Sequence, residues 1–291
     1  MSFRSLLTKI TLAVLIPALL IGLAPQWAAA QAPPSYPPAE LDKIVSRIAL
    51  YPDPLLAQIL AASTFPDQIP DAASWADQHH YLSGDELAKA IMDDQVPWDP
   101  SVQALLPFPS VLDMMATDMA WTNELGNAVL AQRPDVMDAV QRQRQVAEQY
   151  GYLRTNAQVI VSGGPYITIL PANPAFICVP AYDPLIVFAA PRPGFFVGGA
   201  IHFGFGITIG AAFAPWGWGA TRIGWDNHAL FIANARWDRN WGNRGAYVHP
   251  YVGVHAFAGA RPAERHQLIT RSPAERNAAR MGRARTETHR R

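Results

Sequence analysis

The sequence predicts an α+β protein: an N-terminal array of short helices, then a small antiparallel β region, a Gly/Trp-rich segment and a disordered basic tail. Three observations predict it. Apolar residues recur at helical spacing from Ala39 to Gly151, and β-prone runs broken by Gly and Pro replace them after Gly151. Beyond Phe188 acids become rare while Gly, Trp and Arg accumulate. The chain has 291 residues, 50% hydrophobic and 16% charged, which is enough for one or two sizeable cores.

At the N-terminus, Arg4 and Lys9 precede an apolar run from Ile10 to Ala24, followed by Ala28-Ala29-Ala30. This order is that of a secretory signal, so residues 1–30 are expected to be removed before Gln31, placing the protein in the periplasm or outer cell envelope. A retained membrane anchor is the competing reading; Pro17 and the shortness of the run oppose it. Cys178 is the only cysteine, which excludes an intramolecular disulfide, and none near the cleavage site offers a lipoprotein anchor. It lies in the strand-like run "AFICVPAY", where core packing is a better reading than nucleophile.

Residues 31–38, "QAPPSYPP", form a proline-stiffened leader to a helical domain over 39–151. Leu41, Ile44, Val45, Ile48 and Tyr51 share one helical stripe. In "YPDPLLAQIL" and "PWDPSVQALL", Asp53 and Asp99 are placed to cap helices whose first turns hold Pro54 and Pro100. Phe65-Pro66 and Phe108-Pro109 repeat as corners, so the prolines punctuate short rods without dissolving them. Ser83 and Glu86 stand at capping-box spacing, with Leu82 and Leu87 at staple spacing. Leu112, Met115, Met119, Thr122, Gly126 and Val129 predict one stripe, and a further helix runs from Pro134 to Gly151. Seven or eight short helices are expected. Residues 152–190 then read as hairpin-connected strands, turning at Ser162-Gly163-Gly164-Pro165 and Pro171-Ala172-Asn173-Pro174, with Asp183-Pro184 as a turn leading into a strand.

The strings "LDKIVSRIALYPDPLLAQILAASTFPDQI", "VPWDPSVQALLPFPSVLDMMATDMAWTNELGNAVLAQRPDVMDAVQRQR" and "ILPANPAFICVPAYDP" occur in order within residues 41–188. On them the chain resembles the bacterial family catalogued as Domain of Unknown Function 3300. The resemblance implies an exported protein ending in glycine-rich, aromatic-rich and basic segments, and it carries over no activity, cofactor or catalytic residue. Cys178 departs from the family's aromatic preference at that place, which further weakens a nucleophile role.

Within the Gly/Trp/Arg-rich segment, 191–260, residues 193–221 contain no charge. They are long enough for membrane association, yet Phe203, Phe205, Ile207 and Ile209 alternate with small residues as in a strand with all bulk on one face. Trp216, Trp218, Trp225, Arg236, Trp237, Arg239, Trp241 and Arg244 form a candidate binding surface for sugars, a membrane interface or polyanions. The competing reading is a small core closed by tryptophans and covered by arginine stems. The tail, 261–291, carries 9 Arg against 3 acids and no aromatic residue. Net charge is −11 over residues 31–191, +3 over 192–260 and +6 over 261–291.

No P-loop, H-E-x-x-H, G-x-S-x-G or paired-cysteine metal pattern occurs, and no catalytic, cofactor or metal site is assigned. His79-His80 beside Asp77 reads as a polar helix end, His249 and His255 lack an acidic ligand nearby, and Asp93, Asp94 and Asp99 are accounted for by capping and solvation. The expected role is non-enzymatic: an envelope binding or scaffold protein whose C-terminal part engages anionic lipid, lipopolysaccharide, acidic polymer or another envelope protein. Nucleic acid is not an expected partner. The alternatives are an envelope hydrolase with a site assembled from helix-corner acids, and a membrane-associated subunit using residues 193–221.

Overall fold

Prolines set the corners of the helical half. A computed structural model describes residues 32–191 and 199–247; residues 1–30, read above as an export signal, residues 192–198, His249, His255 and the basic tail lie outside them. The helices are α1 Pro38–Val45, α2 Asp53–Ala62, α3 Ile69–Gln78, α4 Gly84–Asp94, α5 Pro100–Gln103, α6 Pro109–Thr117 and α7 Met119–Gln149, with a 3-10 turn at Pro66–Gln68. Leu41, Ile44, Val45, Ile48 and Tyr51 are all buried, as their spacing predicts.

The corners reuse one backbone. Phe65 has φ −121° and ψ 54°, and Phe108 has φ −119° and ψ 66°. Ahead of α2, Pro52 has φ −55° and ψ 139°; ahead of α5, Asp99 has φ −56° and ψ 141°. The two helix starts are therefore displaced by one residue in sequence. Asp99 occupies the capping place and accepts the Ser101 N–H at 2.9 Å. Asp53 falls inside the first turn and caps nothing, contrary to expectation. Ser83 sits in the capping place of α4, but its side chain makes no capping hydrogen bond, so the box predicted with Glu86 does not form.

The stripe predicted through Met119 is broken at Asp118, which leaves helical geometry at φ −123° and ψ 73° and accepts the Trp121 N–H at 3.0 Å. That bond starts α7. Within α7 the chain breaks helical geometry at Gln132, two residues before Pro134, so the helix predicted from Pro134 exists as the second arm of a kinked rod. Gly126 is required where α7 crosses the end of α2: a Cβ there would stand 2.1 Å from the Ser63 carbonyl oxygen.

Strands β1 Val159–Ser162 and β2 Thr168–Pro171 pair as the predicted antiparallel hairpin. The next two, β3 Phe176–Ile177 and β4 Pro180–Tyr182, pair with neither β2 nor each other. Their partners come from the glycine-rich segment: β5 Ile201–Phe203 pairs with β4, and β6 Ile207–Thr208 with β3. Asp183 does not lead into a strand. It accepts the Leu185 N–H at 2.8 Å and opens a single helical turn, α8 Pro184–Val187. A meander of β7 Arg222–Gly224, β8 Ala229–Ile232 and β9 Ala235–Trp237 follows. Ala233 and Asn234 between β8 and β9 both have positive φ, 51° and 63°, the geometry a two-residue hairpin needs.

One core gathers side chains of α1–α7 with Ile177, Ile209, Phe213, Leu230 and Ile232 and four tryptophans of the C-terminal half. A smaller one lies under the first hairpin, with Leu50, Ala147 and Ile169 among its members.

Candidate functional site

The centre of the molecule is a buried ion pair. Asp53, excluded from capping, turns its carboxylate inward, where Oδ1 meets Arg144 Nη1 at 2.6 Å. Arg144 is wholly buried and also donates to the carbonyls of Ala49 at 2.8 Å, Tyr51 at 3.0 Å and Ile167 at 2.8 Å. The second carboxylate oxygen accepts Trp225 Nε1–H at 3.0 Å, and the Arg144 guanidinium lies 4.8 Å from the centre of that indole. Helix corner, first hairpin and C-terminal meander thus converge on one charge pair whose hydrogen bonds are nearly all made. Close by, Gln141 exchanges two hydrogen bonds with the backbone of Ile167, completing the attachment of the hairpin to α7.

Four of the five tryptophans of the predicted surface are core residues. Trp216, Trp218, Trp225 and Trp237 are buried, and Trp216 and Trp218 donate their indole N–H groups to Gln103 Oε1 and the Ala104 carbonyl. Arg239 is buried too, its guanidinium 3.6 Å from the centre of the Phe65 ring. Beside it Arg133 stacks on Trp237 and donates to the carbonyls of Trp237 and Arg239. Burial lowers the proton affinity of both guanidiniums. Of the eight residues only Arg236 is exposed; Trp241 and Arg244 are half-buried and stack on each other. The arrangement is the core closed by indoles and covered by arginine stems.

An open groove of about 710 Å³ lies where β4 and β6 meet α6. Arg47, Tyr51, Met114, Tyr182, Phe205 and Ile207 are among its walls. Among the described residues Arg47 is its only charged wall, held by Asp118 at 2.8 Å and lying over Trp121. Burial raises the Tyr51 phenol to about 12 and pushes Tyr182 well above its ordinary value. Both hydroxyls are engaged internally, Tyr51 with Met114 Sδ and Tyr182 with the Ser46 carbonyl and the Leu50 N–H, so among the described residues the groove offers mainly apolar contact and no acid–base pair.

Its most exposed wall is a bulge. Ile177 faces Ile207 and Pro180 faces Phe203, so the two residues Cys178 and Val179 are opposed by three, Gly204, Phe205 and Gly206. The extra residue breaks the alternation predicted for this stretch. Ile209 is buried and Phe203 and Ile207 half-buried, but Phe205 is 100% exposed. Gly206 packs closely there: a Cβ would stand 3.1 Å from Phe176 Cβ, so Phe176 would have to give by a few tenths of an ångström to admit one. Cys178 beside it is half-buried, and burial raises its thiol pKa, away from the thiolate a nucleophile needs.

The remaining polar candidates each have structural partners of their own. Asp99 and Asp183 cap α5 and α8, Asp93 pairs with Lys89, and Asp94 accepts Trp75 Nε1–H at 2.8 Å. His79 and His80 bond back to the carbonyls of Trp75 and Asp77 at the end of α3. Among the described residues no group of three or more His, Cys, Asp or Glu side chains is placed to hold a metal ion. Among them, too, no helix is long and apolar enough to cross a membrane.

Comparison with known proteins agrees with this extended core. The profile of a protein family of unknown function, DUF3300, matches residues 37–250, well beyond the stretch 41–188 that carries the resemblance in sequence. The uncharacterized protein YacH of Escherichia coli (strain K12) is 34% identical over 183 aligned positions, covering 52% of this chain and 29% of the relative. The chain thus spans less than a third of that relative's length. No solved structure matches. With the match running from the first helix past the last described strand, the chain belongs to the DUF3300 family.

Proposed function

We propose that the protein is a non-enzymatic binding or scaffold component of the cell envelope, exported behind its N-terminal signal and engaging anionic surfaces through its basic C-terminal end. Charge segregation carries this reading: −11 over residues 31–191 against +6 over residues 261–291. The fates of Asp53, Asp99 and Asp183 support the non-enzymatic part. One is locked in the core ion pair and two cap helices, so the corner acids serve the fold. Anionic lipid, lipopolysaccharide and acidic polymer all present the charge that nine arginines would seek.

The experiment compares the purified protein with a chain ending at Ala260, which retains the family-matched region, for binding to envelope fractions over a range of salt. Salt-sensitive binding that weakens in the shorter chain is the expected result. Absence of binding by both chains at every salt concentration contradicts the proposal.

A further inference from the structure

Large apolar side chains standing in water cost solubility, and scattered single ones are ordinary. Those beside the groove are not scattered. Phe205 is 100% exposed, Leu185 85% and Ile186 51%. Pro184, which opens α8, and Phe205 both line the same groove, so the helical turn carrying Leu185 and Ile186 and the bulge carrying Phe205 are two walls of one site. Both walls are fixed from behind. Asp183 caps the turn, and Val187 behind it is fully buried. The bulge is held on either side by the β4–β5 and β3–β6 pairings, with Gly204 N–H on the Val179 carbonyl at 3.3 Å. The exposure of these three side chains is thus built into the fold.

We propose that Phe205, Leu185 and Ile186 form an insertion face that enters the interfacial layer of a lipid bilayer. This deepens, and rests on, the envelope reading above by naming a lipid surface as the partner and the folded body as a second contact. Charge complementarity argues for a bilayer as the occupant. Residues 192–260 and 261–291 carry +3 and +6, and a chain that joins a basic segment to an apolar face combines the two attractions that hold a protein on anionic lipid. The charge on the groove wall is nearly neutralised: Arg47 is balanced by Asp118, and Asp183, next to Pro184, is engaged in capping α8. Rim charge therefore contributes little. The basic end supplies the salt-sensitive attraction, and the three side chains supply an apolar attachment that salt does not screen.

The test is sedimentation of the purified protein with vesicles of phosphatidylcholine containing phosphatidylglycerol, at low and high salt, for the wild type, Phe205→Ser and the double variant Leu185→Ser/Phe205→Ser. All three positions are exposed, so the variants should keep their fold, which near-UV circular dichroism checks. The expected result is vesicle binding by the wild type with a component that persists at high salt. Each substitution should weaken that component about tenfold or more. Wild-type binding that the substitutions leave unchanged overturns the insertion face while leaving the envelope reading intact. No vesicle binding by the wild type at any salt counts against both. Variants that lose self-association in analytical ultracentrifugation but keep full vesicle binding assign the face to a second copy of the chain and overturn its assignment to lipid.

Discussion

Arg144 and Asp53 meet at 2.6 Å, with almost none of either side chain open to solvent. The pair is 91 residues apart in sequence, and its remaining bonds reach the carbonyls of Ala49 and Tyr51, the first hairpin and Trp225. A buried pair of this kind adds little net stability compared with a well-packed apolar replacement, but removing one partner strands the other charge. Asp53→Asn should therefore lower stability by about 3–5 kcal/mol. Arg144→Met should cost a similar amount, and the double variant Asp53→Asn/Arg144→Met much less than the sum. Urea unfolding of the four proteins checks this cycle; additive losses would show that the two groups act independently.

Trp225 supplies the third member of the cluster. Trp225→Phe keeps a ring under Arg144 but removes the N–H that Asp53 accepts together with part of the buried indole, so a loss of at least about 1.5–3 kcal/mol is expected, the hydrogen bond to a charged group plus the space left behind. Thermal unfolding of the variant checks it.

Gly126 sets propensity against packing. On an open helix, Gly→Ala stabilises by about 1 kcal/mol. Here the new methyl would stand 2.1 Å from the Ser63 carbonyl oxygen, and overpacking typically costs about 1–3 kcal/mol. Because the obstacle is backbone and cannot rotate aside, the clash should win and Gly126→Ala should destabilise. A midpoint in urea higher than that of the wild type would show that α2 and α7 can separate at no cost.

Much of the helical half was legible in the sequence because burial and proline geometry are local signals. The stripe from Leu41 to Tyr51, the Phe-Pro corners and the break near Pro134 all follow from spacing alone. The fate of Asp53 was not legible. Its sequence setting matches that of Asp99, and a one-residue displacement of the helix start sends one carboxylate to a cap and the other into the core. The pairing of β3 and β4 with β6 and β5 was hidden for a different reason: partners arrive after an intervening helical turn, and short strands carry no register of their own. The meander over 222–237 left a faint signal in Asp226-Asn227 and Ala233-Asn234, turn-prone pairs between short apolar runs. As for the groove, alternation alone put Phe205 on the same face as Ile209, and only the bulge reverses it.

Alkaline pH should destabilise the protein through its buried phenols, Tyr51 and Tyr182, of which Tyr51 gives the defined pH window. The Tyr51 phenol is raised by burial to about 12, above its ordinary value of 10.0, so the folded state keeps a proton that the unfolded state gives up. The stabilising contribution is therefore complete below about pH 10 and is lost as pH rises toward 12, with a slope of about 1.4 kcal/mol per pH unit for one group. Tyr51→Phe should flatten the decline between those pH values. Urea midpoints measured across the alkaline range check it.

Residues 38–191 and 199–247 should unfold as one cooperative body, held together by the core ion pair, the capping acids and the C-terminal tryptophans. Equilibrium urea unfolding followed by two signals tests this most directly. Far-UV circular dichroism reports the helices, and tryptophan fluorescence is weighted toward Trp216, Trp218, Trp225, Trp237 and Trp241, five of the nine indoles. One coincident transition in both signals is the predicted result. An early fluorescence transition followed by a separate loss of helix would contradict the account, because it would make the C-terminal segment an appendage of an independently stable helical domain.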